Sequence, residues 1–205
     1  TIETWINPDD FSGSEYPLVI SDGTNNFRLR FDSSNTLSAA ITGGSTSIVT
    51  SGTATAAGVW SHVAVTYDGS NATFYINGDL AGTAQALTGL SFANSAQTLT
   101  VGSWTGGSFS AKAMMDEVRL WNTVRSAGEI KATYNEQLTG SESGLQAYYR
   151  FDDDPSGVAV DNKGALGASA DGVLTHGAKI IHPPETVLDF SGNNSSGTYI
   201  EVGRG

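Results

Sequence analysis

Hydrophobic and polar positions alternate with a period of two along much of the chain. In FRLRF, Phe27, Leu29 and Phe31 fall on one side and Arg28 and Arg30 on the other. In HVAVTY, Val63, Val65 and Tyr67 share a side, and in TFYI so do Phe74 and Ile76. In GLQAYYRF, Leu145, Ala147, Tyr149 and Phe151 oppose Gln146, Tyr148 and Arg150. This period is that of half-buried strands in antiparallel sheets. Turn signals punctuate the runs at Asp22-Gly23, Asp68-Gly69 and Asn77-Gly78, and TYDGSNATFYINGD reads as a hairpin followed by a second tight turn. One stretch differs. Ser126-Ala-Gly-Glu129 is a capping box, in which the serine hydroxyl accepts from the third helical amide and Glu129 reaches back to the cap. Ile130, Tyr134 and Leu138 follow at i, i+4 and i+8. The pattern predicts an all-β chain of two packed antiparallel sheets, with one short helix near 126–136 on a sheet edge or sandwich end.

Composition fits that architecture. The 205 residues suffice for one large sandwich, and 25 glycines with many Thr, Ser and Asn suit many short strands joined by turns. No apolar run is long enough to span a bilayer, so no membrane insertion is expected. A chain opening at Thr1 within a strand pattern is expected to be a piece of a longer one. The chain has no cysteine, so a large core must stand in for disulfides, as in long bacterial surface proteins. The formal charge of -11 and the pI of about 4.4 oppose nucleic-acid binding, which needs cationic contacts to phosphate. The same acidity favours solubility and divalent cations.

Several segments carry a family resemblance. WSHVAVTYDGSNATFYINGDLAG and MMDEVRLWNTVRSAGEI together resemble the middle of a laminin-G-like domain. GLQAYYRF, DDDPSG and LDFSGNNSSGTYIEVG resemble the opening of such a domain, and TIETWINP what ordinarily follows it. The order is therefore that of a circularly permuted or split domain, as in modules of large bacterial surface adhesins. The resemblance implies a concanavalin-A-like jelly-roll sandwich over 1–205, with 144–205 supplying the family's N-terminal strands. Tandem repeats are the competing arrangement. They would leave Leu188, Phe190, Ile200 and Val202 without partners and a first domain without its opening strands, whereas joining the pieces resolves both.

Little in the chain points to catalysis. Glycosidases need two carboxylates at a set separation, and no acidic-alternating strand is present. Asp116 and Glu117 are adjacent on a strand, where neighbours face opposite ways. His62, His176 and His182 are scattered, and His62 beside Trp60 reads as a packed or surface residue. The chain is expected not to be an enzyme. Calcium fits the acidic, loop-rich composition better, since it takes carboxylate and carbonyl oxygens. Asp116 is in phase with Val118 and Leu120, which points it toward an apolar face where it needs a partner or a metal. The resemblance implies a structural Ca²⁺ near the family's first strand, which Asp189 would reach. Asp153 in the 152–154 run and Asp161 beside Asn162 are further metal candidates, with Ca²⁺ the expected cofactor.

A ligand is expected at a loop edge. Trp104 in GSWTGG has no apolar neighbours in sequence and suits stacking on a sugar or side chain. Phe11 and Tyr16 fall in a second polar loop, and the loop with Asp22 and Asn25 adds polar groups. Trp5, Trp60 and Trp121 lie in strand patterns and are expected to pack. The reading is a non-enzymatic extracellular adhesion module at a cell surface, part of a larger protein and contacting neighbouring domains of the same chain. It would recognise carbohydrate or peptide in a Ca-dependent way. The alternatives are a scaffold module without its own ligand and a glycan-cleaving enzyme.

Overall fold

A computed structural model of the chain describes residues 1–9, 15–43, 45–90, 97–103, 111–152, 159–160, 162–173, 179–181, 187–188, 194–195 and 199–202. The first strands are β1 (Ile2–Pro8), β2 (Glu15–Ser21), β3 (Asn26–Phe31), β4 (Thr36–Gly43) and β5 (Ser45–Ala54). Then come β6 (Ser61–Tyr67), β7 (Asn71–Ile76), β8 (Asp79–Leu80), β9 (Gln85–Ala86), β10 (Thr98–Val101) and β11 (Ala113–Trp121). Helix α1 (Ala127–Thr133) precedes β12 (Leu145–Tyr149). Short strands complete the order: β13 (Ala159–Val160), β14 (Gly172–Val173), β15 (Lys179–Ile181), β16 (Val187–Leu188), β17 (Asn194–Ser195) and β18 (Tyr199–Val202).

Two antiparallel sheets form the sandwich. The larger runs β15-β18-β11-β1-β6-β7-β8, with β12 also on β11 and β9 on β7; the smaller runs β10-β2-β3-β4-β5. The alternating positions explain the layering. Phe27, Leu29, Phe31, Leu37 and Ile41 from one sheet meet Ile2, Ile6, Val63, Val65, Phe74, Met115 and Val118 from the other, all buried in one core. Dry contact between two apolar sheet faces is the main stabilising term. The turns are chemically specified. Asp22 Oδ1 accepts from the Thr24 and Asn25 amides at 2.9 and 2.7 Å, and Asp68 Oδ1 does the same for Ser70 and Asn71 at 2.8 and 2.6 Å. Asn77 (φ 51°) and Gly78 (φ 78°) link β7 to β8 with two left-handed residues, as a type I′ turn requires.

Local irregularities break the simple alternation, three of them as follows. Between Glu3 and Trp5 of β1 the partner register jumps from Arg119 to Asp116, so β11 carries an extra residue, and Glu117 adopts φ 51°. The bulge resets the phase: Ala113 and Met115 face the core before it, Val118 and Leu120 after it. The inward phase expected for Asp116 therefore fails, because Asp116 pairs with Trp5 across the bulge. A second bulge, in β12, moves Leu145 out of the main core into a small cluster with Trp121, Leu138 and Tyr148. A third, between Glu15 and Leu18, places Tyr16 inside β2 rather than in a loop.

The helix begins as its sequence dictates. Ser126 Oγ accepts from the Glu129 amide at 3.3 Å, and Glu129 Oε2 accepts from the Ser126 amide at 2.7 Å. It ends at Thr133, so Tyr134 caps it and Leu138 lies beyond it. It also packs on a sheet face rather than an edge: Ile130 is buried against Ala64 and Tyr75 of β6 and β7, opposite the core. Trp5 and Trp121 are buried, while Trp60 precedes β6 and is half-buried.

Downstream strands return to the same sheet. β12 pairs with Val118–Trp121 of β11, and β18 pairs with Ala113–Met115 on the same edge and in the same direction. The two lie end to end along β11, although about fifty residues separate them in sequence. The loop after β8 also packs tightly on the smaller sheet: a β-carbon on Gly82 would stand 1.9 Å from the Ser51 carbonyl oxygen of β5, at φ +78°. Gly82→Ala should therefore cost more than about 2 kcal/mol, from backbone strain and overpacking together. Gly89→Ala, at φ +97° in open space, should cost only the backbone part, about 1–2 kcal/mol. Chemical unfolding of the two variants separates these outcomes, and equal losses would count against the close contact.

Candidate functional site

Each sheet has an outer face with its own polar chemistry. On the smaller sheet, Arg28 and Arg30 alternate with the core residues of β3 and so face away from the core. Their guanidinium carbons lie 5.4 and 6.0 Å from the ring centre of Tyr16. Arg28 Nη2 donates to Thr42 Oγ1, and Ser38 is opposite Arg30 in the register. Burial lowers the pKa of Arg28, and the charge of Arg30 beside it lowers it further. An aromatic ring flanked by planar donor forks is suited to sugar hydroxyls or to a carboxylate. Sequence reasoning placed both arginines on one face but did not nominate them; the signal was the FRLRF alternation.

Of the other expected ligand residues, Asp22 and Asn25 are not gathered around Tyr16. Asp22 and Asn25 form the turn at the far end of β2, about 20 Å away at strand rise. There Asp22 Oδ2 accepts from Asn25 Nδ2 at 3.2 Å, so both side chains build the turn. Trp104 lies outside the described residues, as do Phe11, His176 and His182.

Of the metal candidates, Asp153, Asp161 and Asp189 also lie outside the described residues. Asp116 is buried, and its Oδ1 accepts from the Glu117 amide at 2.8 Å. Burial drives its pKa well above the usual carboxylate range, and the charges of Glu117 and Asp152 push the same way. Among the described residues, no three His, Cys, Asp or Glu side chains converge as a metal would require. Asp116 is the one expected metal ligand among the described residues.

The outer face of the larger sheet, under α1, holds a buried ionic network. Arg125 Nη1 donates to Glu3 Oε1 at 2.6 Å, and Arg119 Nη1 lies 3.7 Å from Glu3 Oε2. His62 Nε2 stands 3.4 Å from Glu3 Oε2, within ion-pair range but without an aligned hydrogen bond. Glu117 Oε2 accepts from Arg119 Nη2 and from the Tyr148 hydroxyl, each at 2.6 Å. Both arginines also reach the helix: Arg119 donates to the Thr133 and Glu136 carbonyls, and Arg125 to the Glu129 carbonyl and Thr133 Oγ1. Trp5 Nε1 donates to the Tyr134 carbonyl at 2.8 Å, and the Arg125 guanidinium lies 4.2 Å from the Trp121 ring centre. Of these acceptors, the Thr133 and Tyr134 carbonyls are ones that the helix end leaves open, and Arg119 puts positive charge where the helix dipole favours it. Glu3 and Glu117 are buried and held by arginine, so neither is available to a substrate.

The network sets a pH response. Burial alone would raise Glu3, but His62, Arg125 and Arg119 outweigh it and hold the carboxyl at about 2. That stabilisation is complete above the ordinary glutamate value and is lost as pH falls toward 2. Burial lowers His62, so the fold keeps it neutral and loses stability as pH drops below the ordinary histidine value. The melting-temperature advantage of the parent over His62→Gln should therefore shrink between pH 7.5 and 5, roughly the window in which a free histidine titrates. An advantage that does not vary with pH would show that His62 is not held neutral by burial. Taking the difference between the two proteins cancels Asp116 and Glu117, whose raised values act in the opposite sense.

No curated protein matches the sequence. Solved structures do. A proposed carbohydrate-binding protein from Bacteroides ovatus is 22% identical with a TM-score of 0.61, over 87% of this chain and 54% of that one. The chain thus spans about half the length of that protein. Domain 4 of an extracellular arabinanase from Geobacillus stearothermophilus, in complex with arabinotriose, gives a TM-score of 0.53 at 15% identity, over 64% of each chain. The enzymatically active domain of tailspike protein 2 from bacteriophage CBA120 gives 0.51 at 16%, over 72% of this chain and 26% of that one. At these identities the likeness is one of fold. A laminin-G-type family model described as Concanavalin A-like lectin/glucanases superfamily matches residues 1–131, well over half of the sequence, and the chain belongs to that family.

Proposed function

We propose that the chain is a carbohydrate-binding module of a larger extracellular protein, acting by adhesion rather than catalysis. The observation that carries the reading is its membership of a lectin and glucanase superfamily, together with a domain of the same fold holding arabinotriose. The proposed contact surface is the outer face of the smaller sheet, with Tyr16, Arg28 and Arg30, and Trp104 is the stacking residue expected from the sequence. The opposite outer face is occupied by α1 and the arginine network. One observation favours the alternative of a spacer without a ligand: Tyr16 is 8% exposed and Arg28 3%.

Titration calorimetry after a glycan-array screen that includes arabinotriose distinguishes the two. At least one oligosaccharide should bind, and Trp104→Ala should weaken it at least about tenfold, the loss expected for one stacking aromatic. Its melting temperature should stay near the parent value. An array without hits, with and without calcium, would favour the spacer. Turnover of any bound glycan would revive the enzymatic alternative.

The calcium part of the proposal rests on Asp116, whose carboxyl is raised by burial first and by its acidic neighbours next, and whose charged form a cation would stabilise. Calcium should raise the melting temperature over chelator by mass action. Asp116→Asn should erase that difference. Coincident curves for the parent protein would remove calcium from the reading.

A further inference from the structure

We infer that the first half of β5 is an association edge, along which two copies of this chain pair antiparallel and continue the smaller sheet across a twofold axis. β5 is the outermost strand of that sheet. It is ten residues long, STSIVTSGTA, with neither a charge nor a proline, in a chain where 15% of residues are charged. Natural sheets blunt such edges with lysine, proline, bulges or short strands. β5 uses only a bulge, and uses it late. Its register with β4 is regular from Gly43↔Ser45 to Ser38↔Thr50 and then jumps to Thr36↔Ala54, around Gly52 at φ +74°. Beyond Thr50 the strand is also covered, because Gly82 packs against the Ser51 carbonyl.

The regular half is left open. Among the described residues, Ser47, Ile48, Val49 and Thr50 make no backbone hydrogen bond outside their pairing with β4. Ile48 is 49% exposed and Thr50 is exposed, while Val49 packs partly into the core and fixes the strand in place. An open, pre-formed strand edge is a template for another strand.

Self-complementarity favours a second copy as that strand. The chain carries a formal -11, so two copies repel, and they meet most readily along a segment without charge. The segment is also self-complementary. Antiparallel pairing about Ile48 sets Ile48 against its own copy and Ser47 against Val49, which brings β-branched residues together. A twofold contact of this kind closes on itself, giving a dimer rather than a fibre.

Sedimentation of the intact chain tests this. The weight-average mass should rise from 21.3 kDa toward twice that value between roughly 10 µM and 1 mM, the range for a small interface. Raising the salt from about 20 to about 300 mM should strengthen association, because screening removes repulsion and the interface has no ion pair to lose. Ile48→Lys and Thr50→Lys should each stay at 21.3 kDa with an unchanged melting temperature. Leu80→Lys, at a 59% exposed site on the edge of the other sheet, should associate like the parent. The inference is overturned if the parent stays monomeric throughout, which would leave the edge to a foreign peptide. It is overturned equally if folded Ile48→Lys and Thr50→Lys still associate, or if Leu80→Lys alone dissociates.

Discussion

The Glu3 carboxylate, buried near the start of β1, ties the outer layer of this protein together. His62 of β6 and Arg119 of β11 lie on either side of it, and Arg125 reaches it from just ahead of α1. The arginines do not end at the carboxylates. They run on to the Glu129, Thr133 and Glu136 carbonyls, so the same guanidinium groups that neutralise the sheet also hold the helix and the turn that follows it. A buried ion pair is not stabilising by default, because desolvation offsets much of its attraction. Its consequence is positional: each partner left alone would be a buried, uncompensated charge, and that fixes one arrangement of helix on sheet.

That arrangement covers one of the two outer faces of the sandwich. The helix and its network roof the outer face of the larger sheet, with Ile130 pressed on Ala64 and Tyr75. The smaller sheet carries Tyr16, Arg28 and Arg30 on its outer side, all three buried. Edge pairing through β5 would extend this second face without covering it, so glycan binding and self-association are compatible readings of one sheet. The strands beyond the family match also belong to the frame, since β12 and β18 share one edge of β11.

Local chemistry was legible in the sequence. Alternation located the strands around Phe27, Val63 and Phe74, the dipeptides at 22, 68 and 77 located the turns, and Ser126 with Glu129 gave the start of the helix. Register was not legible, because it is set by partners distant in sequence. Glu117 is a non-glycine residue at φ 51°, and nothing in MMDEVRLW announces the bulge that undoes the phase of Asp116. Tyr16 moved from an expected loop into a strand for the same reason. The ionic network escaped notice because its members come from TIETW, SHVAV, DEVRLW and the link before the helix, segments that only tertiary pairing brings together. Of the candidate site, Tyr16, Asp22, Asn25 and Asp116 can be placed, and they occupy three separate regions of the fold.

The dependence of the outer layer on Glu3 is tested most directly by a double-mutant cycle between Glu3→Gln and Arg125→Met, measured by reversible chemical unfolding. Each single change should strand a buried partner, and the double change should recover much of the loss, giving a coupling of about 2–3 kcal/mol. A coupling below about 0.5 kcal/mol, the level at which distant sites simply add, would contradict it.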